Sequence, residues 1–444
     1  MNTNTTKTTK PNVTTSSLFP SSKTNKKVGK FTFIDLFAGL GGFRIPLEEL
    51  GGASVGFSEI DKAAIQAYTD NFDITEEEYL GDITNITEYP YADIVTGGVP
   101  CQSWSVAGKK HGFEDPRGAL WFDTIEFVKN VKPKAFIFEN VKGLADPRNK
   151  ENLSLIIKSF EKENYTVSYK VLNAFDFGLP QNRERIFIVG IKGDVREKFN
   201  FPEGYKTLPC ISDVLETNSS KLRKSVDNSS DIKNSFNMSY KINKENYFTF
   251  CDTRNGNHSI HSWDIIDTTQ NEKKICVAIM KNRRKKKYGV KDGNALSFED
   301  IKEIIPNLNK KDLNSLVNKK ILADRDGKYD FVNSKNSSGI FGIYRVFTPN
   351  SHVFSTLTKT GVRDFVSTED VPDDVKDKKA YFVENIYKKK LYRQLTIREA
   401  ARVQGFPDTY KFPDNYAKSL GLLGNALGVN IVREVARELL KTIK

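Results

Sequence analysis

Gly97-Gly98-Val99-Pro100-Cys101-Gln102-Ser103-Trp104-Ser105 is the stretch that decides the reading of this chain. It follows the run Ala92-Asp93-Ile94-Val95, which reads as a buried strand. A Pro-Cys-Gln turn at the end of such a strand presents a thiol on a loop that the sheet holds rigidly. A free cysteine is most often a small buried hydrophobe. Pro100, Gln102 and the strand-end position argue instead for a reactive Cys101. Further on, Phe136-Ile137-Phe138-Glu139-Asn140-Val141 is a second apolar strand, ending in a carboxylate. Gln181-Asn182-Arg183-Glu184-Arg185 then leads into Ile186-Phe187-Ile188-Val189, placing two arginines at strand spacing. A thiol, an acid and an arginine pair thus stand at successive strand ends.

Around this set, apolar strands alternate with amphipathic helices from Phe31 to Gly190. Strands are expected at 31–36, 53–58, 93–96 and 135–139, with a late pair at 167–173 and 185–191. Helices are expected at 43–50, 62–71, 120–129 and 153–163. That spacing implies βαβ units and a mostly parallel sheet, an α/β fold. Phe33-Ile34-Asp35-Leu36-Phe37-Ala38-Gly39-Leu40-Gly41-Gly42-Phe43 is a strand running into a glycine-rich turn and a helix. Glycines let backbone approach a ligand closely and adopt positive φ. The phosphate-binding G-x-G-x-x-G is missing, which disfavours a nicotinamide dinucleotide. Glu59 ends the next strand, where a carboxylate can hold both ribose hydroxyls. Asp82-Ile83 follows a third element, suited to an exocyclic amine and an adenine face.

These motifs, in this order, resemble the cytosine-C5 DNA methyltransferase family. The resemblance covers about 30–200 and 390–444. It implies a Rossmann-like methyltransferase domain with a second, smaller target-recognition domain. It also implies S-adenosylmethionine as cofactor, double-stranded DNA as substrate, and a monomer that works in the cytoplasm beside a cognate restriction endonuclease. By resemblance, Cys101 is the nucleophile toward carbon 6 of cytosine, Glu139 the acid at ring N3 and Arg185 the donor near O2. Arg183 is placed near the thiol or a phosphate. The cofactor set is Phe37, Gly39, Leu40, Gly41, Gly42, Glu59, Ile60, Asp82, Ile83, Pro100, Leu120 and, from the last motif Gly424-Asn425-Ala426, Asn425 and Ala426. Gln102, Trp104 and Ser105 are expected at the DNA, with Ser103–Arg117 closing over an extruded base. A loop aromatic is as good a reading of Trp104, and His111 reads as an ordinary loop residue. A tRNA methyltransferase of the same fold usually carries a Cys-Phe-Thr tripeptide, absent here. An inactive homologue typically lacks the nucleophile or the glycines, and both are present.

Composition bounds these expectations. The chain has 444 residues and a formal net charge of +12, which favours a polyanionic partner. Abundant Lys and Asn from an AT-rich genome would give the same excess. The four cysteines, 101, 210, 251 and 276, form no C-x-x-C pair and lie apart from the histidines. That argues against zinc, or any metal site, and against a disulfide framework. No long apolar run suggests a membrane span, and the Thr-, Ser- and Asn-rich start lacks a signal-peptide core, so residues 1–29 read as a disordered tail.

Character changes near Phe201. The expected division is a catalytic domain at 30–200, a recognition domain at 201–392 and a segment at 393–444 returning to the first. Arg393-Gln394-Leu395-Thr396 through Gln404-Gly405-Phe406-Pro407-Asp408 matches the family's ninth motif, whose charges should be structural. Helices are expected at 396–404 and 430–442. Thr356-Leu357 resembles the family's Thr-Leu pair, with Thr356 near the backbone at the target base. Lys281 through Lys287 is a dense basic run, and Arg283, Arg284 and Lys285 are read as phosphate contacts, although such runs are commonly solvated faces. Two short helices at 297–304 and 311–317, then a strand and Asp326-Gly327 turn, follow the order of a winged helix-turn-helix that would offer Lys310, Lys311 and Asn314 to DNA. A plain helical insertion fits the same pattern.

Overall fold

The computed structural model describes residues 29–100, 116–194, 199–205, 207–216, 247–334, 339–359 and 363–443. The chain divides into two compact units: the described residues of 1–179, 183–205 and 404–444, and those of 180–182 and 206–403. Nearly all of the expected tail lies outside the described residues.

The first unit is built on a seven-stranded sheet in the order β3-β2-β1-β4-β5-β7-β6. In chain order its elements are β1 (Phe31–Leu36), α1 (Arg44–Glu49), β2 (Gly52–Ser58), α2 (Lys62–Asn71), β3 (Tyr79–Gly81), β4 (Ile94–Gly98), α3 (Pro116–Val131), β5 (Ala135–Val141), α4 (Lys150–Lys162), β6 (Tyr165–Asn173) and β7 (Glu184–Lys192). β1 to β5 pair in parallel, and β7 runs antiparallel to both β5 and β6. The late strand pair is therefore a hairpin on a parallel sheet. Most expected elements stand, with ends shifted: the helix expected at 120–129 starts at Pro116, and that at 153–163 at Lys150. Asp61 caps α2 through Ala63 and Ala64, which fixes where that helix begins.

The second unit holds β8 (Tyr247–Phe250), β9 (Ser259–Ile260), α5 (Gln270–Asn282), β10 (Leu296–Ser297), α6 (Phe298–Ile304), α7 (Lys310–Asn318), β11 (Leu322–Arg325), β12 (Lys328–Phe331), β13 (Arg345–Phe347), β14 (Asp364–Ser367), β15 (Tyr392–Arg393) and α8 (Ile397–Val403). One sheet has the order β15-β14-β13-β8-β9 and a smaller one β10-β12-β11. The chain returns to the first unit with α9 (Tyr416–Asn425) and α10 (Val429–Thr442). The apolar stripe Val432, Val435, Ala436 and Leu439 of α10 joins Phe33, Ile94, Ile137 and Val189 in one core.

Two expected boundaries move. The return to the first unit begins at 404, not 393, because Arg393 and Glu399 pair within the second unit. There Glu399 also accepts from the Glu216 amide, and Arg402 donates to the Val214 carbonyl. The first unit in turn extends to Tyr205, whose amide donates to Asp176 and whose hydroxyl donates to Glu434, while 180–182 pair with Phe354 in the second.

Candidate active site

The strand order reverses between β1 and β4, and crevices at such switch points open at the carboxyl ends of the strands. Leu36 of β1 lies beside Gly97 of β4, so the Phe37–Gly42 loop and the Val99-Pro100 segment leave the sheet side by side. A Cβ on Gly97 would come 2.9 Å from the Leu36 carbonyl oxygen, so this approach needs glycine.

Phe37, Gly39 and Gly41 all have positive φ, at 53°, 56° and 72°. The alternation curls the loop tightly, and only Phe37 carries the side-chain strain of that region. A Cβ on Gly41 would lie 2.4 Å from the Phe72 ring, and one on Gly42 2.9 Å from Leu427. At Gly39 and Gly81, by contrast, an added Cβ would meet almost nothing, so both border open space. Glu59 lies between them in sequence. One carboxylate oxygen accepts from the Gly39 amide at 2.9 Å, the other from the Ile60 and Asp61 amides at 2.7 and 2.9 Å. A carboxylate has about four acceptor sites, so capacity remains for a ligand hydroxyl. Asp82 accepts from the Thr84 amide and hydroxyl through one oxygen. Ile83 is buried and Leu120 packs against the same cluster, while Ile60 is 69% exposed, an apolar side chain bare to solvent. Beneath the loop, Asp35 is fully buried. Burial pushes its carboxyl up to about 8, against the Thr96 hydroxyl bond that lowers it. A glycine cradle open to solvent, rimmed by Glu59, Asp82 and a bare Ile60, suits an adenosine-bearing ligand such as S-adenosylmethionine.

The other wall is β5. Glu139 lies in register with Gly98 at the end of β4, and its carboxylate is 2.8 Å from the Arg185 guanidinium across the β5–β7 ladder. Both side chains are largely but not wholly buried, at 12% and 15% exposure, which leaves the pair reachable. Asn140, on the opposite face, is buried; its amide donates to the Val99 carbonyl at 3.1 Å and so anchors the segment entering Pro100. Pro100 is the last described residue before the motif. Cys101, Gln102, Trp104, Ser105 and His111 lie outside the described residues, as does most of the 103–117 loop.

Of the two places expected for Arg183, the thiol lies outside the described residues. Arg183 is buried, and its guanidinium donates to the carbonyls of Gly424 and Ala426, where α9 ends. Burial rules out a phosphate contact and makes Arg183 a brace for the last motif. The exposed Asn425 and half-buried Ala426 are held by this brace and by Gln404, whose amide donates to the Leu423 and Ala426 carbonyls. Sequence reasoning missed Gln404 as a brace and Tyr410 altogether. The Tyr410 hydroxyl donates to the carbonyl of Leu40 inside the glycine loop, within an aromatic cluster of Phe406, Phe412 and Phe72. The aromatic spacing Phe406–Tyr410–Phe412 was the available signal.

In the second unit, Thr356 donates its hydroxyl to the Asn182 carbonyl and the Leu357 amide donates to Gln181, so the Thr-Leu pair is pinned to 180–182. Arg283 is a further correction. It is 3% exposed and bonded through two nitrogens to Asp330, so it is a core residue and no phosphate contact. Arg284 is exposed and paired with Asp292, and Lys285 is exposed. Of the described cysteines, Cys251 and Cys276 are buried and Cys210 is half-buried; burial pushes the Cys210 and Cys276 thiols up, away from reactivity. Among the described residues no His, Cys, Asp and Glu cluster could hold a metal, and no helix is long and apolar enough to cross a membrane.

An open α/β sheet with a glycine cradle at its switch point, and a carboxylate–arginine pair beside it, is the arrangement of an α/β methyltransferase. The model of the C-5 cytosine-specific DNA methylase family matches residues 31–441. The chain is 44% identical to the Type II methyltransferase M.HgiBI of Herpetosiphon aurantiacus over 422 residues, 92% of this chain and 97% of that protein. It is 34% identical to the Type II methyltransferase M.BanI of Aneurinibacillus aneurinilyticus, covering 92% and 96%. The crystal structure of the S. pombe Dnmt2 methyltransferase shares the fold, with a TM-score of 0.53 at 14% identity over 93% of this chain and 99% of that one. The chain belongs to the C-5 cytosine-specific DNA methylase family and is a DNA cytosine-C5 methyltransferase.

Proposed function

We propose that this enzyme methylates carbon 5 of a cytosine extruded from a short duplex site, protecting host DNA from a cognate restriction endonuclease, as a cytoplasmic monomer. The observation that carries the reading is the Glu139–Arg185 pair beside the strand end that runs into Pro100-Cys101, one strand from the glycine cradle. The Type II methyltransferase names of its relatives favour DNA over tRNA as substrate.

Carbon 5 of cytosine is a weak nucleophile. The Cys101 thiolate adds to carbon 6, and the displaced electron pair moves toward carbon 5. Glu139 holds a proton at ring N3, and Arg185 donates to O2, so the charge that reaches the N3–O2 edge is met by fixed groups. When bound, S-adenosylmethionine would supply the electrophilic methyl group; Phe37, Gly39, Leu40, Gly41 and Gly42 would hold its amino-acid part, Glu59 and Ile60 the ribose, Asp82, Ile83 and Leu120 the adenine, and Pro100, Asn425 and Ala426 would close the pocket. A base then removes the carbon 5 proton, the 5,6 double bond re-forms and the Cys101 thiolate leaves. The target carbon is out of reach inside a duplex, so extrusion is required. Gln102, Trp104, Ser105 and Thr356 are the residues proposed to meet the opened helix, and Arg284 and Lys285 to meet phosphates.

The test is the covalent step. Wild-type protein with S-adenosylmethionine and duplex DNA carrying 5-fluorocytosine should form an adduct stable to denaturation, since fluorine blocks the elimination. Cys101→Ser should form none and transfer no methyl, a hydroxyl being far less ionised than a thiol at neutral pH. Methyl transfer retained by the serine variant would sink the proposal.

A further inference from the structure

The stretch 270–331 has an architecture of its own inside the second unit. Its order is α5, β10, α6, α7, β11, β12, with β12 antiparallel to both β10 and β11. Three helices against a small three-stranded sheet, the last two strands joined by a tight turn, is the winged helix. The turn is set by positive φ at Asp326 and Gly327 and by Asp324 accepting from the Gly327 amide. Ile275, Cys276, Ile279, Leu296, Ile301, Leu313, Leu316, Tyr329 and Phe331 form a hydrophobic cluster that draws on every one of these elements but β11, which adds Leu322. Each core aliphatic so buried contributes about 1.5–3 kcal/mol, so the cluster gives the winged helix its own reason to fold.

Within it, α7 corresponds to the helix that such folds insert into DNA. Asn309 caps it through the Lys311 amide, which starts the helix at Lys310 and puts both lysines in its first turn. Leu313 and Leu316 face the core; Lys310, Lys311, Asn314 and Asn318 are exposed. The side chains of Lys310, Lys311 and Asn314 make no ion pair or hydrogen bond among the described residues. Three other cations of this stretch are already committed, Arg283 to Asp330, Lys287 to Glu303 and Lys319 to Glu272, while Lys320 is exposed like the pair. Asp312 is the only acid on α7. Across 270–331 the sequence has 16 Lys and Arg against 9 Asp and Glu, so this stretch holds much of the chain's excess of +12. A scaffold element gains nothing from a free lysine pair beside an exposed Asn, whereas a polyanion with readable base edges matches both.

We propose that the winged helix of residues 270–331 is a DNA-docking element that helps choose the methylation site, with α7 entering the major groove: Lys310 and Lys311 meet phosphates and Asn314 meets a base edge. This rests on the reading of the chain as a DNA methyltransferase. The wide major groove of B-DNA admits a helix, and Asn pairs in a bidentate manner with adenine. The deep, narrow groove of duplex RNA does not admit a helix.

The experiment uses the full chain. Binding of mixed-sequence duplex DNA is measured against salt for wild type, Lys310→Ala/Lys311→Ala, Lys310→Arg/Lys311→Arg and Asn314→Ala. Plasmid DNA methylated by each is then read by bisulfite sequencing. Unchanged hydrogen exchange over 270–331 certifies the fold of each variant. The double alanine variant should lose about 1–2 units of log–log salt slope, one for each phosphate contact, and the arginine pair should retain the slope. Asn314→Ala should lose about tenfold discrimination at one position flanking the methylated cytosine. Wild-type slope and methylation pattern in all variants would overturn the proposal, as would weakened binding to duplex RNA alone. A wild-type protein that methylates no duplex at all would overturn the proposed function instead, whatever the slopes.

Discussion

Arg283 sits in the middle of a basic run and yet is expected to matter for folding, not for DNA. Its Nε and Nη2 bond to the two oxygens of Asp330 at 3.0 and 2.9 Å, with only 3% and 8% of the side chains exposed. Gly293, at φ 107°, leaves the room: a Cβ there would come 2.4 Å from the guanidinium. The pair ties the end of α5 to β12. Arg283→Ala leaves Asp330 buried without its countercharge, and breaking a buried pair in this way costs about 3–5 kcal/mol. That corresponds to a two- to four-decade rise in the local opening constant, capped by the stability of the winged helix itself. Arg284, at 42% exposure and paired with Asp292 at 86%, is worth at most about 1 kcal/mol. Hydrogen exchange followed by mass spectrometry should therefore show α5, α7 and β12 losing protection in Arg283→Ala and keeping it in Arg284→Ala. The salt dependence of DNA binding should respond in the opposite way, flattening when Arg284, Lys285 and Lys286 are neutralised. Replacing both members by apolar residues of similar volume should recover most of the protection, because no charge is then stranded. Full protection in Arg283→Ala together with a flattened salt slope would refute the reasoning and return Arg283 to the phosphates.

Further outcomes follow from the first unit. Glu139→Gln should slow methyl transfer by about 10²–10⁴-fold while calorimetry finds cofactor affinity nearly unchanged. Glu59→Ala should do the reverse at saturating cofactor, and more severely than loss of a ribose contact alone, since three backbone amides lose their acceptor. Gly41→Ala should weaken cofactor binding, because its φ of 72° is strained for alanine and the added methyl runs into Phe72; wild-type affinity would mean that the loop adapts. Asp35 gives a pH prediction. Burial raises its folded-state value to about 8 from an ordinary 3.8, so its contribution to stability is complete below about pH 4 and is lost as pH rises through 8. Thermal melts should show Asp35→Asn gaining on wild type between pH 5 and 9, and a constant gap would exclude the carboxyl as the source.

Much of the candidate site could be read without coordinates, for a local reason. Strand ends and glycine turns are set by near neighbours in sequence, so the Phe37–Gly42 loop, Glu59, Asp82 and the Glu139 strand end each announce themselves. Their grouping follows from the chirality of βαβ units, which sends parallel strands to one edge of the sheet. The order of elements over 297–331 was legible, since caps such as Ser297 and Asn309 and the Asp326-Gly327 turn are local signals, but it fitted a winged helix and a plain helical insertion alike. What remained open was which way each charged side chain faces.

Sequence by itself therefore determined the family, the α/β sheet, the chemical types gathered at its switch point and the basic balance of the chain. Only the tertiary structure decided that Arg183 braces the Gly424–Ala426 turn while Arg185, two residues on, meets Glu139. Only it showed Arg283 turned into a core among lysines that face water, the segment 393–403 kept by the second unit, and Tyr410 holding the glycine loop from the far end of the chain. The physical reason is common to all four. A guanidinium or a phenol is equally at home in water or in a buried hydrogen-bonded site, so its fate depends on which distant carbonyl or carboxylate folding brings within about 3 Å.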